Sequence, residues 1–164
     1  MRPEVLIRQA TPDDIPELLR HRRGMYEDMG YNDAEAMSKM VETCRPHLAV
    51  ALANGTLHAW LACAGERVVA GGFVLVSPWP SHPYDGQCRR ATILNMYTDP
   101  PFRRQGIARR LMQTMIAWCR KEGFVRVDLH ASDKGRPLYE SLGFEPSNEM
   151  RLDLRSREFS RLQK

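Results

Sequence analysis

The spacing of apolar and polar positions changes character along the chain. Val5 to Arg8 is a short β-like run, followed by Thr11-Pro12-Asp13-Asp14. That tetrad holds a cap residue, a proline at the first helical position and acids in the first turn. It predicts a helix from Pro12 to about Arg23 that stops near Gly24. Asn32 or Asp33 then caps a second helical stretch, which Pro46 interrupts and Asn54-Gly55 ends. From Thr56 the period changes. Leu57 to Ala64 and Arg67 to Ser77 are rich in Val, Leu, Ala, Trp and Phe and are joined by Gly65-Glu66, which reads as a hairpin.

Residues 78 to 90 hold three prolines and one glycine together with Trp79 and Tyr84. They read as an irregular loop, either a pocket cover or an exposed connector. Ala91 to Thr98 is the next strand, and Asp99-Pro100-Pro101 ends it, since proline supplies no ladder donor. A helix is predicted from about Gly106. At 100° per residue, Ile107, Leu111, Met115, Trp118 and Cys119 share one half of its wheel, while Arg109, Arg110, Gln113, Arg120 and Lys121 share the other. Gly123 ends that helix. Phe124 to His130 reads as a strand, Arg136 to Leu142 as a short helix closed by Gly143, and Glu149 to Leu154 as a final strand. The order β, α, α, β, β, β, α, β, α, β predicts a mixed α/β fold with parallel pairing near the middle.

At 164 residues the chain fits one domain, expected to span 1 to 164 with a core of about 4 to 155 and a basic tail at 156 to 164. With 43% hydrophobic and 27% charged residues, composition is that of an ordinary soluble protein, and no apolar run reaches the roughly 20 residues that cross a bilayer. No membrane association is expected. The first residues, MRPEVLIRQATPDD, carry no apolar leader, so a cytoplasmic location is the expectation. Cys44, Cys63, Cys88 and Cys119 are widely spaced and read as free thiols, and the five histidines have no metal-ligand spacing, so no metal is expected.

Charge is concentrated. The net +4 of the chain is exceeded by residues 101 to 123 alone, where six basic residues face one acid. The stretch from Arg151 to Lys164 adds five basic residues against two acids and reads as solvated surface. An anionic partner is therefore sought at 101 to 123. There, Arg103-Arg104-Gln105-Gly106-Ile107-Ala108 joins a strand to a helix. A pyrophosphate needs donors without intervening side chains. Gly106 lacks a Cβ, Ala108 is small, and the first N–H groups of the helix point outward at its positive end. Arg103, Arg104 and Arg109 add charge-assisted contacts at the same spot.

This segment resembles the phosphate loop of the GCN5-related N-acetyltransferases, whose pattern [RQ]-x-x-G-x-[GA] is met by Arg103, Gly106 and Ala108. Downstream, Leu138-Tyr139-Glu140-Ser141-Leu142-Gly143-Phe144 resembles the L-Y-x-x-x-G-F signature of that family, and Ile7 to Asp14 is similar to its first strand and turn. Residues 20 to 90 match in layout. The resemblance implies a fold in which two central parallel strands, here Ala91 to Thr98 and Phe124 to His130, splay apart around pantetheine. It implies acetyl-CoA as cosubstrate and an amine as acceptor. Backbone groups at about Met96 and Thr98 are expected to bond the pantetheine amides, and the amides of Arg104, Gln105, Gly106, Ile107, Ala108 and Arg109 to hold the pyrophosphate. Tyr139 corresponds to the tyrosine that protonates the departing thiolate, a role a phenol with a pKa near 10 can fill.

Two departures stand out. Where many relatives carry an asparagine after the second central strand, this chain reads His130-Ala131-Ser132-Asp133-Lys134-Gly135-Arg136, so Ser132 or Asp133 is the expected substitute and Arg136 a phosphate contact. Where relatives often carry a glutamate before the phosphate loop, Ile93-Leu94-Asn95-Met96-Tyr97 holds no acid. Asn95 is then expected to orient a water or the amine, with His130 or a water chain as base. Met25, Tyr26, Trp79 and Tyr84 are the expected acceptor-pocket residues. The competing reading is a coenzyme A sensor of the same fold that lost turnover, against which Tyr139 argues. A nucleic-acid partner is not expected, because the basic residues flank a helix start and solvate one helix face. The absence of G-x-x-x-x-G-K-[ST] excludes a P-loop hydrolase. The oligomeric state stays open, a homodimer among the options.

Overall fold

A computed structural model describes residues 4 to 154. The chain divides into two compact units, residues 1 to 130 and 131 to 164, and each is described by itself.

The first unit is built on a five-stranded sheet in the order β1 to β5: β1 (Val5–Gln9), β2 (Leu57–Ala64), β3 (Arg67–Pro78), β4 (Arg89–Thr98) and β5 (Val127–Leu129). Neighbours through β4 are antiparallel, and β5 pairs parallel to β4. Strand periodicity divides the residues of β2 between two faces. Leu57, Ala59 and Leu61 join Ile15, Leu18, Leu19, Leu48, Ala51 and Phe73 in one core beneath α1 (Ile15–Asp28) and α2 (Ala34–Ala53). On the other face α3 (Ile107–Lys121) sets Trp118 against His58 and Trp60, with ring centroids 4.2 and 5.6 Å away. Leu111, Met112 and Met115 of α3 are completely buried, each stabilising the fold by about 1.5–3 kcal/mol. No helix among the described residues is long and apolar enough to cross a membrane.

Asp14 joins β1 to α1. Its carboxylate accepts two bonds from Arg8, at 2.7 and 2.8 Å, and one from the Thr11 N–H at 2.8 Å. Both helices depart from expectation in length. α1 continues past Gly24 to Asp28 because that glycine sits inside a packing contact: a Cβ there would stand 2.6 Å from Cζ of Tyr97. α2 continues through Pro46, which is exposed, while Leu48 and Ala51 on either side of the next turn are buried and hold the helix to the core. β5 is shorter than expected. Phe124 lies outside it, with its ring between Trp118 and the guanidinium of Arg89, 4.2 Å from the latter.

In the second unit, α4 (Arg136–Glu140) is the regular element, and Gly143 at φ 91° turns the chain so that the Phe144 ring meets Tyr139 edge-on at 6.1 Å. The strand expected at 149 to 154 is absent among the described residues, which run irregularly there with exposed side chains. The basic tail at 156 to 164 lies outside the described residues.

Candidate functional site

Two irregularities in β4 shape the first part of the site. Its pairing with β3 steps from Phe73↔Leu94 to Gly71↔Tyr97, so Asn95 and Met96 together face Gly72 in a β-bulge. Asn95 takes φ 60°, a left-handed conformation that asparagine tolerates better than most residues. Its side-chain amide donates to the Leu18 carbonyl of α1 at 3.1 Å, and it is buried, 3% exposed. The Asn95 amide nitrogen thereby anchors β4 to α1, while its Oδ1 is buried with no hydrogen-bond partner among the described residues. Met96 goes to the opposite face, where its sulfur fills the space that a Cβ on Gly72 would need, beside Met115.

The second irregularity is on the β5 side. Among the described residues the parallel pairing covers Ala91↔Val127, Thr92↔Asp128 and Ile93↔Leu129, so there β4 runs on from Leu94 to Thr98 without a strand partner on that edge. Backbone groups along this edge, next to a bulge, are available to an extended ligand.

β4 leads through a 3₁₀ turn (Pro100–Phe102) into the loop before α3. Arg104 and Gly106 both adopt left-handed φ, 61° and 77°, and Gln105 braces the loop by donating from Nε2 to the Pro101 carbonyl at 3.0 Å. Gly106 is the N-cap of α3, with no side chain capping the helix and open space where a Cβ would stand. The first N–H groups of α3 therefore have no partner within the helix, at the positive end of its dipole. Arg104, Gln105, Gly106 and Arg109 are exposed, Ala108 is half-buried, and the buried Ile107 side chain pins the helix start to the core.

Arg103 is employed differently from the sequence expectation. Its Nε donates to the Thr98 carbonyl at 2.8 Å, a terminal nitrogen pairs with Asp28 at the end of α1, and its guanidinium lies 5.5 Å from the Tyr97 ring centroid. It braces the loop against α1, and the Thr98 carbonyl already has a donor. Beneath this brace, Asp99 is 4% exposed and holds Arg20 at 2.7 Å and Arg67 at 3.3 Å. Sequence reading missed Asp28, Tyr97 and Asp99 as partners. An asparagine in mid-strand was the available signal for the bulge.

In the second unit the structure groups Ser132, Arg136 and Tyr139 around one turn. The Ser132 carbonyl accepts from Gly135 and Arg136 N–H at 3.0 and 2.9 Å, and its hydroxyl oxygen accepts from Gly135 N–H at 3.2 Å. Ser132 is thus engaged in holding its own turn, while Arg136 is exposed. The Tyr139 ring packs on Gly135, where a Cβ would stand 2.9 Å from Cε2, and burial pushes its phenol pKa up. His130, at the end of the first unit, is exposed.

The expected acceptor residues are scattered. Tyr26 stacks edge-on with Tyr31 at 5.4 Å and its hydroxyl accepts from Arg22. Trp79 lies under Arg90, which also pairs with Asp128 at 2.9 Å. Tyr84 is 90% exposed beside His82 at the tip of a loop whose Trp79 N–H bonds the Cys88 carbonyl. That tip is an exposed connector.

The model of the acetyltransferase (GNAT) domain matches residues 55 to 146. The chain belongs to the GNAT acetyltransferase family. The match takes in β2 to α4 and both sequence signatures, and leaves α1 and α2 outside it. A GCN5-related N-acetyltransferase from Ralstonia eutropha JMP134 is 32% identical and superposes with a TM-score of 0.86 over 93% of this chain and 100% of that one. A predicted acetyltransferase from Clostridium acetobutylicum, solved with acetyl-CoA, is 26% identical, with a TM-score of 0.85 over 92% and 97% of the two chains. Human N-acetyltransferase 8 is 28% identical over 93 residues, 55% of this chain and 39% of that protein. The GNAT chain spans about two fifths of the length of the curated relatives it matches.

Proposed function

We propose that the protein moves the acetyl group of acetyl-CoA directly to an amine in a ternary complex. One observation carries this reading: a bulged β4, open along Leu94–Thr98 on its β5 edge, leads into an uncapped α3 whose N-cap is the left-handed Gly106. The open edge suits the two amides of pantetheine, with backbone groups at Met96 and Thr98 as their partners. The amides of Arg104, Gln105, Gly106, Ile107 and Ala108 suit the pyrophosphate, with Arg104 and Arg109 as nearby cations. Arg103 serves as the brace that keeps this loop in shape. Arg136 is the cation the second unit offers to a phosphate.

In the reaction, the amine nitrogen attacks the thioester carbonyl, the C–S bond breaks, and the thiolate takes the proton of Tyr139. At neutral pH that phenol is protonated, and burial, which raises its pKa, keeps it so until the thiolate forms beside it. Asn95 contributes by fixing the bulge. The amine proton passes to solvent, directly or through the exposed His130. Proximity and backbone polarisation of the carbonyl supply the remaining rate enhancement.

The engagement of Asn95 with Leu18, with no acid in its place, favours one second reading, a sensor that binds acetyl-CoA without turnover. A thiol-release assay with acetyl-CoA across a library of small amines, amino acids and peptides separates the two. Amine-dependent release supports the transferase. Cofactor binding without release from any amine overturns it in favour of the sensor.

A further inference from the structure

The arginines of α1 keep unequal company. Arg20 pairs with Glu17 and Asp99, at 2.8 and 2.7 Å, and Arg23 pairs with Glu27 at 2.9 Å. Arg22, half-buried between them, has no acid among the described residues. Its Nη2 donates to the neutral Tyr26 hydroxyl at 3.3 Å, its guanidinium lies 5.2 Å from the centroid of that ring, and its Nε is buried with no hydrogen-bond partner. A cation drawn partly out of water without a counter-charge is costly. This side chain lines a groove of about 520 Å³ between α1 and α2, together with Ala36, Lys39, Met40, Thr43, Cys44 and His47. That volume is within the range of roughly 300–1,000 Å³ that small-molecule sites occupy.

We propose that this groove binds a small amphipathic anion, a carboxylate or phosphate ester carried on a short apolar body. Spacings of three and four residues put Ala36, Met40, Thr43 and His47 on one face of α2, with Lys39 and Cys44 beside them. Met40 and Cys44 are half-buried and form an apolar floor with Ala36, while the Thr43 hydroxyl and the His47 ring are exposed at the rim. Lys39 is exposed and makes no ion pair among the described residues, although Glu35 and Glu42 stand one turn to either side of it on α2. No acid lines the groove among the described residues. Two cations without a counter-charge therefore select an anionic head, and the planar fork of arginine suits a carboxylate and a phosphate alike. The floor selects the apolar body, since a fully hydrated ion would leave it in water. The groove shares no residue with the acetyl-CoA site proposed above, so this reading is independent of that one.

The test is calorimetric titration of the full chain with hexanoate and with phenyl phosphate, beside hexanol and phenol as their neutral counterparts. Saturable binding of an anionic probe is expected, with its neutral counterpart weaker by at least about tenfold. The tighter of the two heads identifies the natural ligand as a carboxylate or as a phosphate ester. Lys39→Glu reverses a charge at an exposed position, and Thr43→Glu sets an acid into the groove. Each should weaken the tighter probe by at least about tenfold, with far-UV circular dichroism unchanged. Arg22→Gln should weaken it to a similar extent. The bound probe should also slow alkylation of Cys44 by iodoacetamide, followed by peptide mass spectrometry, and leave that of the exposed Cys88 unchanged. Saturating acetyl-CoA should not alter the affinity of the probe. The proposal is overturned by a lack of saturable binding up to about 10 mM, by a neutral counterpart that binds as tightly as the anion, or by affinity that survives both glutamate variants. Competition with acetyl-CoA would also overturn it, by placing the anion in the loop before α3.

Discussion

The side-chain amide of Asn95 donates to the carbonyl of Leu18 at 3.1 Å, joining the bulge of β4 to the first turn of α1. Asn95→Ala removes that bond and places a residue less tolerant of φ 60° at the bulge, so stability should fall by about 1–3 kcal/mol. Asn95→Gly also loses the bond but adopts the left-handed backbone without strain, and should lie between wild type and the alanine variant. Urea denaturation of the three proteins measures the order. An alanine variant as stable as wild type would remove the anchoring role.

Gly106 stands where α3 begins, with φ 77° and open space beside it. Acetyl-CoA should raise the melting temperature of the wild type. In Gly106→Glu the added carboxylate enters the space proposed for the pyrophosphate and repels it, so the rise should vanish while the free protein loses about 1–2 kcal/mol from backbone strain. A rise of unchanged size would place the cofactor elsewhere.

Tyr139→Phe keeps the ring that packs on Gly135 and Phe144 and removes the proton. Turnover should fall by about 10²- to 10⁴-fold, with the acetyl-CoA-induced rise in melting temperature retained. Steady-state kinetics beside thermal shift make the comparison, and equal turnover would release Tyr139 from its role.

Stability should fall in acid in two stages. His21 is completely buried on α1, and burial, helped by the neighbouring Arg20 charge, lowers its pKa from 6.5 to about 4. Above pH 6.5 the ring is neutral in both states and its contribution is intact. Between pH 6.5 and 4 the unfolded chain takes up a proton that the folded ring refuses, so stability declines by up to about 1.4 kcal/mol per pH unit. Asp14, whose pKa the Arg8 hydrogen bonds lower from 3.8 to about 2, contributes above pH 3.8 and loses that contribution as pH falls through 2. Denaturant titrations from pH 7 to 3 should show the first slope, and His21→Leu should flatten it between pH 6.5 and 4.

Local chemistry made much of this protein legible in one dimension. The hairpin at Gly65-Glu66, the amphipathic α3, the glycine start of that helix and the Tyr139 to Phe144 signature each depend on residues close in sequence, where periodicity, capping and backbone preference act directly. The features that escaped depend on residues far apart. Gly24 reads as a helix stop until Tyr97, 73 positions later, is seen against it. Pro46 reads as a break until the core contacts of Leu48 and Ala51 are present to hold the helix across it. Arg103 reads as a phosphate contact, and nothing near it in sequence shows that Asp28 and the Thr98 carbonyl also engage it. The alternation at 149 to 154 reads as a strand, but alternation supplies only a face, and a strand also needs a neighbour for its backbone. Sequence alone determined which segments can be helix, strand or anion loop, because those preferences are local. Tertiary structure decided where helices end, which charges are already engaged and how β4 bulges, because each depends on what long-range packing brings alongside.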